Sequence, residues 1–206
     1  MVTRREFLDA LAVGTAGLAV GTTAKSYSQI LGSNDRLNFA VIGLNGRAYA
    51  HLASLKANKK SARISHVCDV DTTILKKFAD HTQQEMDETP VSEKDFRRIL
   101  EVKDVDAITI ATPEHWHTPM AIAALQAGKH VYVEKPCSHN PAEGEMLVQA
   151  QQKYQKLVQL GTQQRSSPHT IEIVDKIHDG IVGRPYFAKA WYSNTRKSIG
   201  VGKDIP

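Results

Sequence analysis

The sequence has only two cysteines, Cys68 and Cys137, among its 206 residues, and they do not form a C-x-x-C pair. No zinc or thiol-redox motif is therefore visible, and both read as free, partly buried thiols. Long apolar runs are missing too. The best candidate, from Leu8 to Val20, is short and rich in glycine and alanine, which argues against a stable membrane span. There is no internal repeat, low-complexity tract or long linker. Charge of one sign is scarce: 26 Lys and Arg against 22 Asp and Glu leave a net +4. That excess is scattered, whereas a nucleic-acid binder concentrates its basic residues on one face. What remains is an ordinary globular composition, 41% hydrophobic and 23% charged, able to bury a core.

The first residues read as an address. Thr3-Arg4-Arg5-Glu6-Phe7-Leu8 precedes the short apolar stretch, and small residues follow around Ala24. Basic, then apolar, then small is the layout of a secretory signal. The paired arginines resemble a twin-arginine export signal. Residues 1–33 are expected to be signal and linker, and the protein to be periplasmic or otherwise exported. That resemblance also implies export in the folded state, with any cofactor already loaded.

Beyond residue 33, apolar runs and helical patterns alternate. Leu37–Ile42, Arg63–Cys68, Ala107–Ala111, His130–Val133 and Leu157–Leu160 read as strands. Arg47–Lys56, Thr72–Thr82, Pro119–Ala127 and Pro141–Tyr154 read as helices. Ser92 is expected to open a further helix, with Asp95 three residues on as a capping-box variant. Residues 82–89 read as loop. The strands lack clean alternation, as expected when both faces of a sheet are covered. The pattern predicts an α/β domain over residues 34–161, a doubly wound parallel Rossmann sheet. Residues 162–206 read as the start of an α+β substrate or dimerisation domain. There Pro168–Asp179 is expected to be a helix with Ile171, Val174 and Ile177 inward, and Tyr186–Tyr192 a half-exposed strand.

One turn stands where a dinucleotide fold needs its phosphate loop. Gly43-Leu44-Asn45-Gly46-Arg47-Ala48 follows a strand and opens a helix. Gly43 fits the tight turn, and Gly46 allows close backbone approach. The helix N-terminus offers free N–H groups and a positive dipole end to a pyrophosphate, and Arg47 beside it counts among the candidate cofactor-binding residues. Asn45 replaces the usual second glycine and adds bulk there. Asp69 ends the second strand, 26 residues after Gly43. A carboxylate at that place accepts from ribose hydroxyls and opposes a 2′-phosphate, which favours NAD over NADP.

Two further strand ends carry polar residues: Ala111-Thr112-Pro113-Glu114-His115-Trp116-His117, and Glu134-Lys135-Pro136. Open α/β sheets place ligands at such ends. A lysine there suits proton exchange with a substrate hydroxyl as hydride leaves its carbon. His115 and His117 also have a spacing that metal ligands adopt, but no cysteine or carboxylate pair completes a set, so no metal is expected.

Ala-Thr-Pro-x-x-x-His at 111–117 and Ala-Gly-Lys-His-Val-x-x-Glu-Lys-Pro at 127–136 resemble the Gfo/Idh/MocA oxidoreductase family, as do Gly161-Thr162-Gln163-Gln164-Arg165 and Gly180-Ile181-Val182-Gly183. The resemblance implies NAD or NADP as cofactor and a carbohydrate as substrate. It makes Lys135 the catalytic or substrate-orienting lysine. It puts Thr112, Pro113, His117, Glu134 and Pro136 around the nicotinamide end, approached by Gln163 and Arg165. It also implies homo-oligomers formed through a sheet beyond Pro206. Outside the inner membrane there is no general nicotinamide pool, so an exported enzyme of this kind is expected to retain and recycle its cofactor. Two schemes do so: oxidoreduction with a second substrate, and transient sugar oxidation that assists epimerisation, elimination or glycoside cleavage. The other reading is a dinucleotide- or sugar-binding module without catalysis.

Overall fold

The computed structural model describes residues 36–193 and Thr195. The export segment and linker expected over residues 1–33 lie outside the described residues. The chain divides into two compact units between Gly161 and Thr162.

The first unit is a six-stranded parallel sheet. Its strands are β1 (Leu37–Ile42), β2 (Ala62–Cys68), β3 (Val91–Glu93), β4 (Ala107–Ile110), β5 (His130–Glu134) and β6 (Val158–Gly161). The spatial order is β3-β2-β1-β4-β5-β6, with every neighbouring pair parallel. That is the doubly wound Rossmann order, with its switch point between β1 and β4. The helices are α1 (Ala48–Ala57), α2 (Thr72–Met86), α3 (Phe96–Leu100), α4 (His117–Gln126) and α5 (Pro141–Tyr154).

Successive residues of β1 face opposite layers, as the period of a strand requires. Val41 joins Leu44, Leu52, Ile64, Val67 and Phe78 in the core under α1 and α2. Ala40 and Ile42 join Ile99, Ile108, Ile110, Leu125 and Val133 in the core under α3, α4 and α5. All four residues of β4 are buried, Thr109 among them, as a strand covered on both faces requires.

Local chemistry fixes the helix ends. Asp71 caps α2 by accepting from the Thr73 and Ile74 amides at 2.8 and 3.1 Å. Asn140 caps α5 by accepting from the Glu143 amide at 3.0 Å, and Glu143 accepts in return from the His139 amide at 3.0 Å. Pro141 stands in the first turn of α5, where its missing N–H costs nothing.

Several boundaries differ from the sequence expectation. α2 runs past Thr82 to Met86, because the Thr82 hydroxyl donates to the Phe78 carbonyl (2.9 Å) and both Thr82 and Met86 are buried. Ser92 does not open a helix. It lies in β3, and Asp95 is the cap of α3, accepting from the Arg97 amide at 3.0 Å. Among the described residues, no helix is long and apolar enough to cross a membrane.

The second unit begins with a 3₁₀ turn, Gln163–Ser166, followed by α6 (Pro168–His178). No residue of α6 is buried, so Ile171 and Val174 stand exposed instead of inward. Residues 186–192 form no strand. A strand needs a hydrogen-bonded neighbour, and among the described residues none pairs with this segment.

Candidate active site

The carboxyl ends of the strands gather the chemistry. Gly43 follows β1 at φ +81°, a region open to glycine and strained for other residues. A Cβ there would stand 2.6 Å from the Thr112 nitrogen and 2.7 Å from the Ala111 carbonyl carbon. The backbones after β1 and β4 therefore meet at the switch point. Ala48, in the third position of the motif, is fully buried against the sheet. An alanine there keeps the close helix–strand contact.

The turn is braced from β2. One Asp69 carboxylate oxygen accepts from the Leu44 amide (2.8 Å) and the other from the Asp71 amide (3.0 Å). Each oxygen keeps a lone pair for a ribose hydroxyl. The Asn45 side-chain oxygen accepts from the Gly46 amide at 2.9 Å, so the residue that departs from the glycine pattern covers one of the turn's own donors.

Gly43, Asp69, Thr112 and Pro113 line one cavity of about 450 Å³. Val70, Phe96, Trp116 and Met120 give it apolar walls, and Lys94 and the Arg97–Asp95 ion pair (2.8 Å) complete its lining. Phe96 and Trp116 meet edge to face, with centroids 6.4 Å apart. A largely apolar slot with a carboxylate beside it fits an adenosine. Sequence reasoning missed Lys94, Phe96 and Arg97, because they come from the β3–α3 segment whose strand it did not find. Cys68, at the floor of this cavity, has its thiol pushed up to about 12, chiefly by burial. It is a packing group rather than a nucleophile.

His117 opens α4 and is 2% exposed. Its Nδ1 lies 2.6 Å from the Pro136 carbonyl oxygen and its Nε2 lies 2.8 Å from that of Thr112. The ring thus ties the loop after β4 to the loop after β5, and its nitrogens face protein rather than ligand. The same contacts remove it from metal binding. Among the described residues, no group of three or more His, Cys, Asp or Glu gathers as a metal site.

Lys135 and Pro136 are exposed at the end of β5, and the peptide between them is cis. Glu134, just before them, is buried. Its Oε1 accepts from Arg47 Nε at 2.6 Å, which joins the end of β5 to the glycine turn. Thus Gly43, Asp69, Thr112 and Pro113 share the cavity, His117 joins Thr112 to Pro136, and Glu134 joins Arg47. Gln163 and Arg165 belong to the second unit, in its 3₁₀ turn.

His51 of α1 is buried beside this pair, 3.3 Å from Glu134 Oε1. Burial holds it below the ordinary histidine value of 6.5, Glu134 opposes that, and Arg47 adds to it. His66 of β2 is lowered by burial as well. A histidine held below its unfolded value binds protons more readily when the chain unfolds. Its contribution to stability is complete above 6.5 and is lost as pH falls through that value toward the folded-state one. The melting temperature is expected to hold between about pH 8 and about pH 7 and to fall below about pH 6.5. His51→Gln should flatten that fall, and an unchanged slope would remove His51 from this account.

The profile of the oxidoreductase family with an NAD-binding Rossmann fold, Gfo/Idh/MocA, matches residues 37–162. A glycosyl hydrolase family 109 protein of Shewanella baltica is 24% identical over 92% of this chain and 45% of its own length. An inositol 2-dehydrogenase of Rubrobacter xylanophilus is 27% identical over 82% of this chain and 48% of its own. The chain thus spans about half the length of these curated relatives. Among solved structures, the WlbA dehydrogenase of Chromobacterium violaceum, in complex with NADH and UDP-GlcNAcA, superposes with a TM-score of 0.66 at 25% identity, over 73% of this chain and 42% of that one. The 3-ketoreductase KijD10 of Actinomadura kijaniata, in complex with NADP and TDP-benzene, shares the fold with a TM-score of 0.63 at 22% identity, over 71% and 43%. With its family profile, strand order and switch-point glycine turn in agreement, this chain belongs to the Gfo/Idh/MocA oxidoreductase family.

Proposed function

We propose that the protein is an NAD(P)-dependent oxidoreductase that moves hydride to or from a hydroxyl carbon of a sugar or sugar derivative, and that it holds its cofactor through the cycle. One observation carries the reading. The glycine turn, the Asp69 cavity and Lys135 all lie at the carboxyl end of one parallel sheet, the first two for a dinucleotide and the third for a proton. The nicotinamide, when bound, supplies the redox chemistry. The chain supplies placement: the turn and the N-terminus of α1 hold the pyrophosphate, and Asp69 holds the adenosine ribose. Lys135 exchanges the proton of the substrate hydroxyl. Relatives named for inositol dehydrogenation and glycoside hydrolysis support a carbohydrate substrate. The family 109 relatives, aligned over most of this chain, favour redox-assisted glycoside cleavage as the second reading. A binding module without catalysis would have no use for Lys135.

The Arg4-Arg5 segment supports export, and export supports a retained cofactor. Assembly into homo-oligomers is part of the same reading. Titrating nucleotide-free protein calorimetrically with NAD and NADP tests the dinucleotide claim, and failure to bind either would remove it. The Asp69 charge is expected to favour NAD. Asp69→Ala should weaken NAD about tenfold, the worth of a charged hydrogen bond, and narrow the preference. Equal weakening of NAD and NADP would mean that Asp69 serves only to brace the turn.

A further inference from the structure

Glu134 is one of the most enclosed charges of the first unit, its side chain 7% exposed, and a cation from the glycine turn pairs with it. Arg47 stands between Gly46 and α1 with its side chain 43% exposed. Its Nε donates inward to Glu134, and the Tyr132 phenol interacts with it as well. The Glu134 carboxylate is the main cause that raises the guanidinium above its ordinary value. His51 walls the pair from one turn further along α1. Its ring stands edge to face on Tyr132, with centroids 5.2 Å apart. Its Nε2 approaches Glu134 at an angle that makes no hydrogen bond. His51 is neutral near pH 7, because burial lowers it. His51 therefore adds no charge to the pair, and Arg47 is a cation bound to Glu134.

A guanidinium held at Nε keeps the orientation of its plane, and the terminal N–H donors that Tyr132 does not engage are available to a second anion. Arg47 is partly open to solvent beside the turn that receives a pyrophosphate. From this geometry we infer that Glu134 is a positioning residue. It takes no part in the cofactor contacts itself but holds Arg47 in place as the pyrophosphate's cation. The inference rests on the dinucleotide reading above. It changes the role of Glu134 from a ligand at the nicotinamide end to a support for the phosphate end. Lys135 follows Glu134 directly, so the strand end that carries the candidate proton carrier is fastened to the turn by the same pair.

The test uses nucleotide-free wild type, Glu134→Gln, Arg47→Met and the double variant, titrated with NAD and with adenosine, which carries no phosphate. Melting curves confirm that each is folded. Because Arg47 is part exposed, Arg47→Met keeps the test alive if Glu134→Gln does not fold: it alone must weaken NAD and spare adenosine. Each single variant is expected to weaken NAD about tenfold and leave adenosine unchanged. The double variant should bind NAD no more weakly than Arg47→Met alone, because Glu134 acts through Arg47. Losses that add in the double variant, equal loss of adenosine binding, or unchanged NAD binding would each overturn the inference. A wild type that binds no dinucleotide would instead overturn the reading on which it rests.

Discussion

Lys135→Ala is expected to lower the turnover of any accepted sugar by roughly 10²–10⁴, the usual worth of a positioned proton carrier. NAD(P) affinity should stay within about threefold, since the proposed dinucleotide contacts lie at the turn and at Asp69. The contrast follows from where the side chain sits. Lys135 is exposed at the end of β5, so its removal opens no cavity and strands no buried partner. The loss should therefore appear in kcat rather than in stability. Steady-state rates with a panel of sugars, set beside a dinucleotide titration of the same preparation, give both numbers. Equal turnover in the variant would take the proton-carrier role from Lys135. A large loss of dinucleotide affinity would make it a binding group instead.

Gly43→Ala should do the reverse and damage the fold itself. Its φ of +81° strains any residue with a Cβ. The added carbon would lie 2.6 Å from the Thr112 nitrogen, where the obstacle is backbone and cannot swing aside. Left-handed strain and overpacking together cost on the order of 3 kcal/mol or more. For a chain of this size that lowers the melting temperature by roughly 10 °C. Relief requires β1 and β4 to part at the switch point, so dinucleotide binding should vanish as well. Thermal melts and titration of Gly43→Ala read both effects, and a variant that melts and binds like wild type would contradict the geometry. The same change at Gly46 meets nothing within 4 Å and should cost less.

The sheet was legible where burial writes a continuous apolar run. Leu37–Ile42 and Pro141–Tyr154 match residue for residue, the first set by its apolar run and the second by Asn140 and Pro141 at its start. β3 was not legible. It is three residues long on an edge of the sheet, two of them exposed, so its sequence carries no hydrophobic signature. The end of α2 was hidden because Thr82 and the glutamines after it look like loop. What extends the helix is the buried hydroxyl of Thr82 and the packing of Met86.

At the site, single residues could be found but their pairings could not. Gly43 and Asp69 announce themselves by place relative to a strand. The bond from Arg47 to Glu134 spans 87 positions and exists only because β5 lies two strands from β1, beyond β4. The two carbonyls that hold His117 are main-chain atoms, which no side-chain pattern records. The Asn45 contact with its neighbour's amide is a local choice that a motif counts only as a missing glycine.

The most direct measurement is on protein purified without added nucleotide, denatured, and its released small molecules identified by mass spectrometry. A retained-cofactor oxidoreductase should release NAD or NADP in stoichiometric amount. Protein that releases neither, and that binds neither when they are added, would contradict the account.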